Sequence, residues 1–245
     1  MVPTAELLVF ALVVLVAFVS GAMAGFGSVI IALTLAGQFY SIEWMVPRLV
    51  ALNVLLNGYL VLAHRGRVAW RLLLTRLIWV MGAGAGLGVL VQARLEGSTL
   101  KTAFGALVVV LSSLELYRLF AQRDEPASST GGASLPFVFG AGIMHGIYAS
   151  GGPMLVYALG RSGLARTAFR STLAMIWLAM NVGLTVVFLL DGRLDGPALT
   201  EVGWLTIPVV AATAIGEVLH RRVDERGFRI VLFCLLFAAG IALLF

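Results

Sequence analysis

Two glycine-rich interruptions of otherwise apolar sequence constrain this chain more than any other feature: Gly21-Ala22-Met23-Ala24-Gly25-Phe26-Gly27-Ser28 and Gly146-Ile147-Tyr148-Ala149-Ser150-Gly151-Gly152-Pro153. The 245 residues are 60% hydrophobic and 12% charged, more apolar surface than a soluble fold of this size can hide. In lipid every backbone N–H and C=O has to be paired inside the protein, so an irregular backbone survives only where protein or a wet cavity covers it. The chain therefore reads as an all-α polytopic membrane protein in which both interruptions face inward.

The apolar runs follow in order. Leu7 to Val19 and Ser28 to Phe39 are pieces of 13 and 12 residues, each shorter than the roughly 20 residues a spanning helix needs. They read as a broken hairpin. Pro47 to Ala63, Leu72 to Ala93 and Thr99 to Tyr117 are long enough to span. In the second of these, Gly82, Gly84, Gly86 and Gly88 give overlapping G-x-x-x-G spacings, which predict close helix packing, with Gly84→Ala nearly silent for transport. After a polar stretch, Leu135 to Tyr148 and Pro153 to Gly160 form a second broken pair, followed by spans at Ala168 to Leu190, Pro197 to Leu219 and Phe228 to Phe245.

The two interruptions align without a gap, Gly21 on Gly146, Ala24 on Ala149, Gly27 on Gly152 and Ser28 on Pro153. Further along, Arg48 through Asn57-Gly58 resembles Arg170 through Asn181-Val182-Gly183, and Gly66-Arg67-Val68 resembles Gly192-Arg193-Leu194. Weak internal similarity of this kind belongs to duplicated transporter folds. The expected organisation is a first repeat at 1–120, a linker at 121–134 and a second repeat at 135–245. Each repeat is a broken re-entrant helix hairpin plus three transmembrane helices.

Basic residues choose the topology. If each broken segment enters and leaves on one side, the halves are inverted. Arg65, Arg67, Arg71, Arg76, Arg118, Arg123, Arg161, Arg166, Arg170, Arg221, Arg222, Arg226 and Arg229 then face the cytoplasm, with Arg48, Arg94, Lys101 and Arg193 outside, thirteen against four. If each broken segment crosses once, the balance is seven against ten, against the positive-inside tendency. The inverted arrangement is preferred, with both termini outside the cytoplasm. The net charge of +5 is thereby assigned to orientation rather than to nucleic-acid binding.

A helix restarting after a break offers unpaired N–H groups and the positive end of its dipole, and glycines let a ligand approach the backbone. Pro153 suits a first helical position and Ser28 an N-cap. The two breaks thus form the expected site for a small anion: Gly25, Phe26, Gly27 and Ser28 from one side, Ser150, Gly151, Gly152 and Pro153 from the other, with Tyr148 as a hydroxyl donor. Read singly, either glycine stretch also fits tight helix crossing; the repetition favours a site. Asn57 and Asn181 correspond in the repeat and line the expected pathway, although interhelical hydrogen bonding is the plainer role. His145 precedes the second break within apolar sequence and is the proton-coupling candidate, against a packing role. Trp177 lies too deep in its span for an interface belt. Arg48 and Arg170 stand either as snorkelling cations or as attractors of anions.

The paired motifs Ala24-Gly25-Phe26-Gly27-Ser28 and Ala149-Ser150-Gly151-Gly152-Pro153, in two similar halves, resemble the TauE/SafE sulfite exporter family, also called the toluene-sulfonate uptake permeases. The resemblance extends over essentially the whole chain, and the first motif departs from the family's glycine-richer form by carrying Ser28. It implies transport, in the exporting direction, of small sulfur-containing anions such as sulfite or organosulfonates across a bacterial inner membrane.

Other classes stay open. A passive anion channel, a carrier of small carboxylates and, with less support, an intramembrane enzyme using Ser150 and His145 fit parts of the pattern. The sequence contains no G-x-x-x-x-G-K, H-E-x-x-H or C-x-x-C, so no nucleotide, metal or other cofactor is expected and no catalytic residue is assigned. One cysteine, Cys234, forms no internal disulfide. The expected partners are the small anion and membrane lipid, with no nucleic acid; homo-oligomerisation, substrate identity, direction and coupling ion are left open.

Overall fold

The computed structural model describes residues 5–24, 27–64, 68–95, 97–121, 134–160, 162, 164–220 and 225–244. Among them every regular element is helical. The first half contains α1 (Ala5–Ala24), α2 (Ser28–Ala36), α3 (Ile42–His64), α4 (Trp70–Leu72), a π-helical turn (Leu73–Leu77), α5 (Ile78–Gln92) and α6 (Gly97–Ala121). The second contains α7 (Leu135–Tyr148), α8 (Gly152–Gly160), α9 (Arg166–Leu190), α10 (Gly196–His220) and α11 (Glu225–Ala242). Six stretches, in α1, α3, α4–α5, α6, α9 and α10, are long and apolar enough to cross a membrane. Leu12, Leu62, Trp79, Leu90, Ile207 and Val210 lie exposed on their outer faces. Exposure of such side chains is costly in water and costs little in lipid, whose tails are as apolar as leucine. The protein is a multi-pass membrane protein.

Both interruptions are hairpins. From Gly27 the chain runs back along α1, until the Tyr40 hydroxyl donates to the Glu6 carbonyl at 2.7 Å and its ring lies 5.3 Å from that of Phe10. In the second half α8 returns along α7, with Phe137 and Tyr157 rings 4.6 Å apart. α1 is longer than its sequence predicts: it continues through Gly21 to Ala24 instead of stopping at Val19. Gly21 acts as a contact rather than a break, since a Cβ there would lie 2.8 Å from the Ser28 Cβ of the returning α2.

The halves interlock. α1 packs on α10, α5 on α7, α3 on α9 and α6 on α11. Exchanging each helix for its counterpart in the other half, α1 for α7, α3 for α9, α5 for α10 and α6 for α11, reproduces this pattern. Small residues set the closest approaches. Cβ atoms added at Gly84 and Gly88 would meet the Phe139 and Ile143 carbonyl oxygens at 2.3 Å, and at Gly142 and Gly146 those of Met81 and Ala85 at 2.2 Å. α5 and α7 therefore meet backbone to backbone. α10 and α1 do the same more loosely, Gly216 lying against Ala22 and the Val19 carbonyl.

The close packing expected of this helix is seen at Gly84 and Gly88. Only alternate members of the glycine row face a helix; around Gly82 and Gly86 there is nothing within 4 Å. Gly84→Ala forces α5 away from α7 at an overpacking cost of about 1–3 kcal/mol, whereas Gly86→Ala removes backbone freedom from an open helix surface without a clash. Thermal denaturation in detergent should show a Tm several degrees lower for Gly84→Ala and no loss for Gly86→Ala. Equal Tm values for the two would contradict this packing.

Candidate functional site

The breaks differ in how they turn. At the first, Gly27 caps α2 with φ +96°, a left-handed conformation that glycine adopts without steric cost, and its carbonyl accepts from the Ile31 N–H at 3.0 Å. The Ser28, Val29 and Ile30 N–H groups belong to the first turn, which has no intrahelical acceptor for them. Ser28, expected as the cap, is instead the first helical residue, and its hydroxyl donates to Asn53 Oδ1 at 2.8 Å. At the second break Ala149 takes φ +52°, the only positive φ of a non-glycine among the described residues, and donates to the His145 carbonyl at 2.7 Å. The chain restarts at Gly152, with the Leu155 N–H bonded to the Gly151 carbonyl at 3.2 Å. A left-handed alanine costs about 1–2 kcal/mol and persists only where its surroundings over-determine it.

Both turns border one cavity holding about 470 Å³ of atom-free space, its open mouth included. α1 and the first break contribute Gly21, Gly27, Ser28, Val29 and Ile30; α7 and the second break contribute His145, Ala149, Ser150 and Gly152. Asn53, Leu56, Asn57 and Leu60 form one stripe of α3 at helical spacing, about 10 Å long. Trp177 and Asn181, one turn apart on α9, complete the lining. Among the described residues the lining includes no Asp, Glu, Lys or Arg, and its one titratable side chain is His145.

The polar lining divides into satisfied and unsatisfied groups. Asn53 Nδ2 donates to the Leu49 carbonyl at 2.9 Å and Asn57 Nδ2 to the Asn53 carbonyl at 2.8 Å. By contrast both ring nitrogens of His145, Nε1 of Trp177 and Oδ1 of Asn181 are buried without a hydrogen-bond partner. These residues are 1%, 6% and 3% exposed. The His145 and Trp177 rings are 5.4 Å apart and 32° from parallel, contact between faces that uses none of the N–H groups. Buried polar atoms of this kind cost roughly 1–3 kcal/mol each unless something in the cavity pairs with them.

Of the residues expected from the sequence, Gly27, Ser28, Asn57, His145, Ser150, Gly152 and Asn181 border this cavity. Gly25 and Phe26 lie outside the described residues, as do the Pro153 side chain and most of the 121–134 linker. Tyr148 and Gly151 are not part of the lining. The Tyr148 hydroxyl donates to the Leu100 carbonyl at 3.1 Å, joining α7 to α6. Gly151 lies so close to α7 that a Cβ would meet the Ala141 carbonyl at 2.1 Å. Trp177 and Asn53, which the sequence motifs did not single out as site residues, also line the cavity. What marks both is register: Trp177 is one turn from Asn181 and Asn53 one turn from Asn57.

Arg48, a candidate attractor of anions, is engaged elsewhere. Its Nε donates to Glu201 Oε2 on α10 at 2.5 Å and Nη1 to the Trp44 carbonyl at 2.9 Å, with the guanidinium 4.1 Å from the Trp44 ring centroid. Near the end of α5 a chain of contacts reaches the second break: Arg193 Nη1 donates to Gln92 Oε1 at 2.8 Å, and Gln92 Nε2 to the Ile147 carbonyl at 2.6 Å.

A helical bundle within the membrane, with a neutral polar cavity between two helix breaks, defines a membrane transport protein. The family profile of the sulfite exporter TauE/SafE matches residues 9–243, and the chain belongs to that family. No curated protein and no solved structure matches it.

The two turn residues predict stability changes of opposite sign. Gly27→Ala puts a Cβ into the left-handed region, in ordinary van der Waals contact with Ile30 and Ile31 but at about 1–2 kcal/mol of backbone strain. Ala149→Gly removes such strain and should leave Tm unchanged or raised. Unfolding curves of the two variants check this; an equal fall in both would mean that Ala149 is not held at positive φ.

Proposed function

We propose that the protein is a carrier that exports small sulfur-containing anions, such as sulfite or organosulfonates, across a bacterial inner membrane. Family membership supports the class of cargo. The observation that carries the reading is the shared cavity: the restarted α2 and α8 and three buried side chains with unpaired polar atoms border one space, with no carboxylate among the described lining residues.

The anion lies between the breaks, held by first-turn N–H groups around Gly27-Ser28 and by Gly152, with Ser150, Asn57 and Asn181 around it. A fixed cation at the bilayer centre costs about 2.5–3.5 kcal/mol on insertion scales, whereas helix ends supply positive potential without a net charge. The neutral lining agrees with this choice and suits release as well as binding. His145, the titratable residue in the lining, is the proton-coupling candidate.

Hairpins that return to their side of entry leave three crossings in each half, so the repeats at 1–120 and 135–245, joined by the 121–134 linker, have opposite orientation. Both termini then lie outside the cytoplasm. The exchange-symmetric packing of helices supports this duplication.

Flux into proteoliposomes tests the site. Gly27→Val and Gly152→Val should abolish sulfite transport and substrate-dependent thermal stabilisation; two folded variants that keep both would place the anion elsewhere. His145→Gln should remove any dependence of flux on a pH gradient, and unaltered coupling eliminates His145 as the proton carrier. For the topology, single cysteines in a Cys234→Ser background should be labelled from outside near Gly192 and Ser98 but not near Gly66, Gly163 or Ser129. Labelling of Gly66 and Gly192 from the same side overturns the inversion.

A further inference from the structure

The unpaired buried atoms of the residues that line the cavity are not all donors, and this restricts what can fill it. Trp177 Nε1 is a donor only, and the first-turn N–H groups at Ser28, Val29 and Ile30 are donors as well. These match anion oxygens. Asn181 Oδ1 is an acceptor only, buried and without a partner. An anion bearing nothing but oxygen atoms and methyl groups leaves it unpaired, and directs negative density toward a carbonyl dipole. In its neutral form His145 supplies one donor and one acceptor, and then adds a second acceptor that an oxygen-only anion cannot use. Among the described residues the lining contains no Lys or Arg to offset a second negative charge, and burying an uncompensated charge is far more costly than burying a neutral polar group.

We infer that the cavity selects a singly charged tetrahedral oxyanion that carries an N–H or O–H donor of its own, and that Asn181 is the residue that reads that donor while Trp177 holds an anion oxygen. This rests on the proposed site between the breaks and narrows its substrate class. Hydrogensulfite, sulfamate and hydroxy-substituted sulfonates have the required charge and donor; sulfate, a dianion, and simple alkanesulfonates lack either the charge or the donor. A site built around a substrate hydrogen bond rejects an analogue that lacks it, because the site's own buried group is left unpaired.

Sulfamate and methanesulfonate isolate this effect, being of nearly equal size and equal charge and differing in an NH₂ group against a CH₃. Their sodium salts and sodium sulfate are titrated against the purified full-length protein, with thermal stabilisation as the readout. Sulfamate should half-saturate at about one tenth of the methanesulfonate concentration or less, an unpaired buried acceptor being the difference, and sulfate should bind more weakly than sulfamate by a similar or larger factor. Asn181→Leu should bring sulfamate and methanesulfonate within about twofold of each other. Trp177→Phe, which keeps the ring and loses the N–H, should weaken both by about fivefold and leave their ratio unchanged.

If methanesulfonate stabilises the wild-type protein as well as sulfamate does and Gly27→Val abolishes both effects, the donor requirement is wrong and the site between the breaks stands. If sulfite, sulfamate and methanesulfonate all fail to stabilise the wild-type protein, the site itself is wrong and this inference falls with it. A ratio that persists in folded Asn181→Leu removes Asn181 from the role; if that variant does not fold, the wild-type ratio decides.

Discussion

A backbone amide that leaves a helix inside a bilayer has no water to turn to, and the arrangement of this protein follows from that constraint. At Gly27 and at Ala149 the chain reverses, and protein packs around both reversals: Ser28, Ala149 and Ser150 are all buried. Enclosure requires a partner from elsewhere in the chain. The first break is covered by α3, through the Ser28–Asn53 hydrogen bond, and the second by α5, through the bond from Gln92 to the Ile147 carbonyl. What the surrounding helices leave unfilled between the two reversals is the cavity.

Interlocking small residues hold that enclosure in place. The hydrophobic effect does not draw helices together inside lipid, so van der Waals contact and interhelical hydrogen bonds have to do so, and both improve as backbones approach. Gly84 and Gly88 against Gly142 and Gly146 bring α5 and α7 to backbone contact, one turn from Ala149. The strained left-handed alanine thus sits at the end of the most tightly packed helix of the second half, where the neighbouring helix leaves little room for relaxation. Polar satisfaction is distributed unevenly as a result. Asn53 and Asn57 spend their amide hydrogens on their own helix, whereas His145, Trp177 and Asn181 face the space between the halves with nothing to bond.

Much of this was legible in residue order. The density of apolar runs dictates a helical membrane protein, because only helices or closed barrels satisfy the backbone in lipid. The gapless alignment of Gly21–Ser28 with Gly146–Pro153 marked both breaks, and seven of the residues singled out from the sequence border the cavity. The errors are instructive in kind. Gly21 looked like part of a break and is a contact residue, since a glycine's meaning depends on what stands where its Cβ would be. Tyr148 and Gly151 fell inside the right motif but point away from the cavity, toward Leu100 and Ala141.

Composition and spacing by themselves determined that the chain is a multi-pass helical protein with two matched interruptions, because the energetics of placing a backbone in lipid depend on local sequence alone. Only the tertiary structure decided which face of each helix meets the cavity and which polar atoms remain unpaired there. Arg48 shows the reason: in sequence it is a lone cation beside a membrane span, and its partner, Glu201, lies 153 positions along the chain. Asn181 and Asn57 match in sequence yet differ in bonding, since the atoms around them come from helices that no local pattern orders in space.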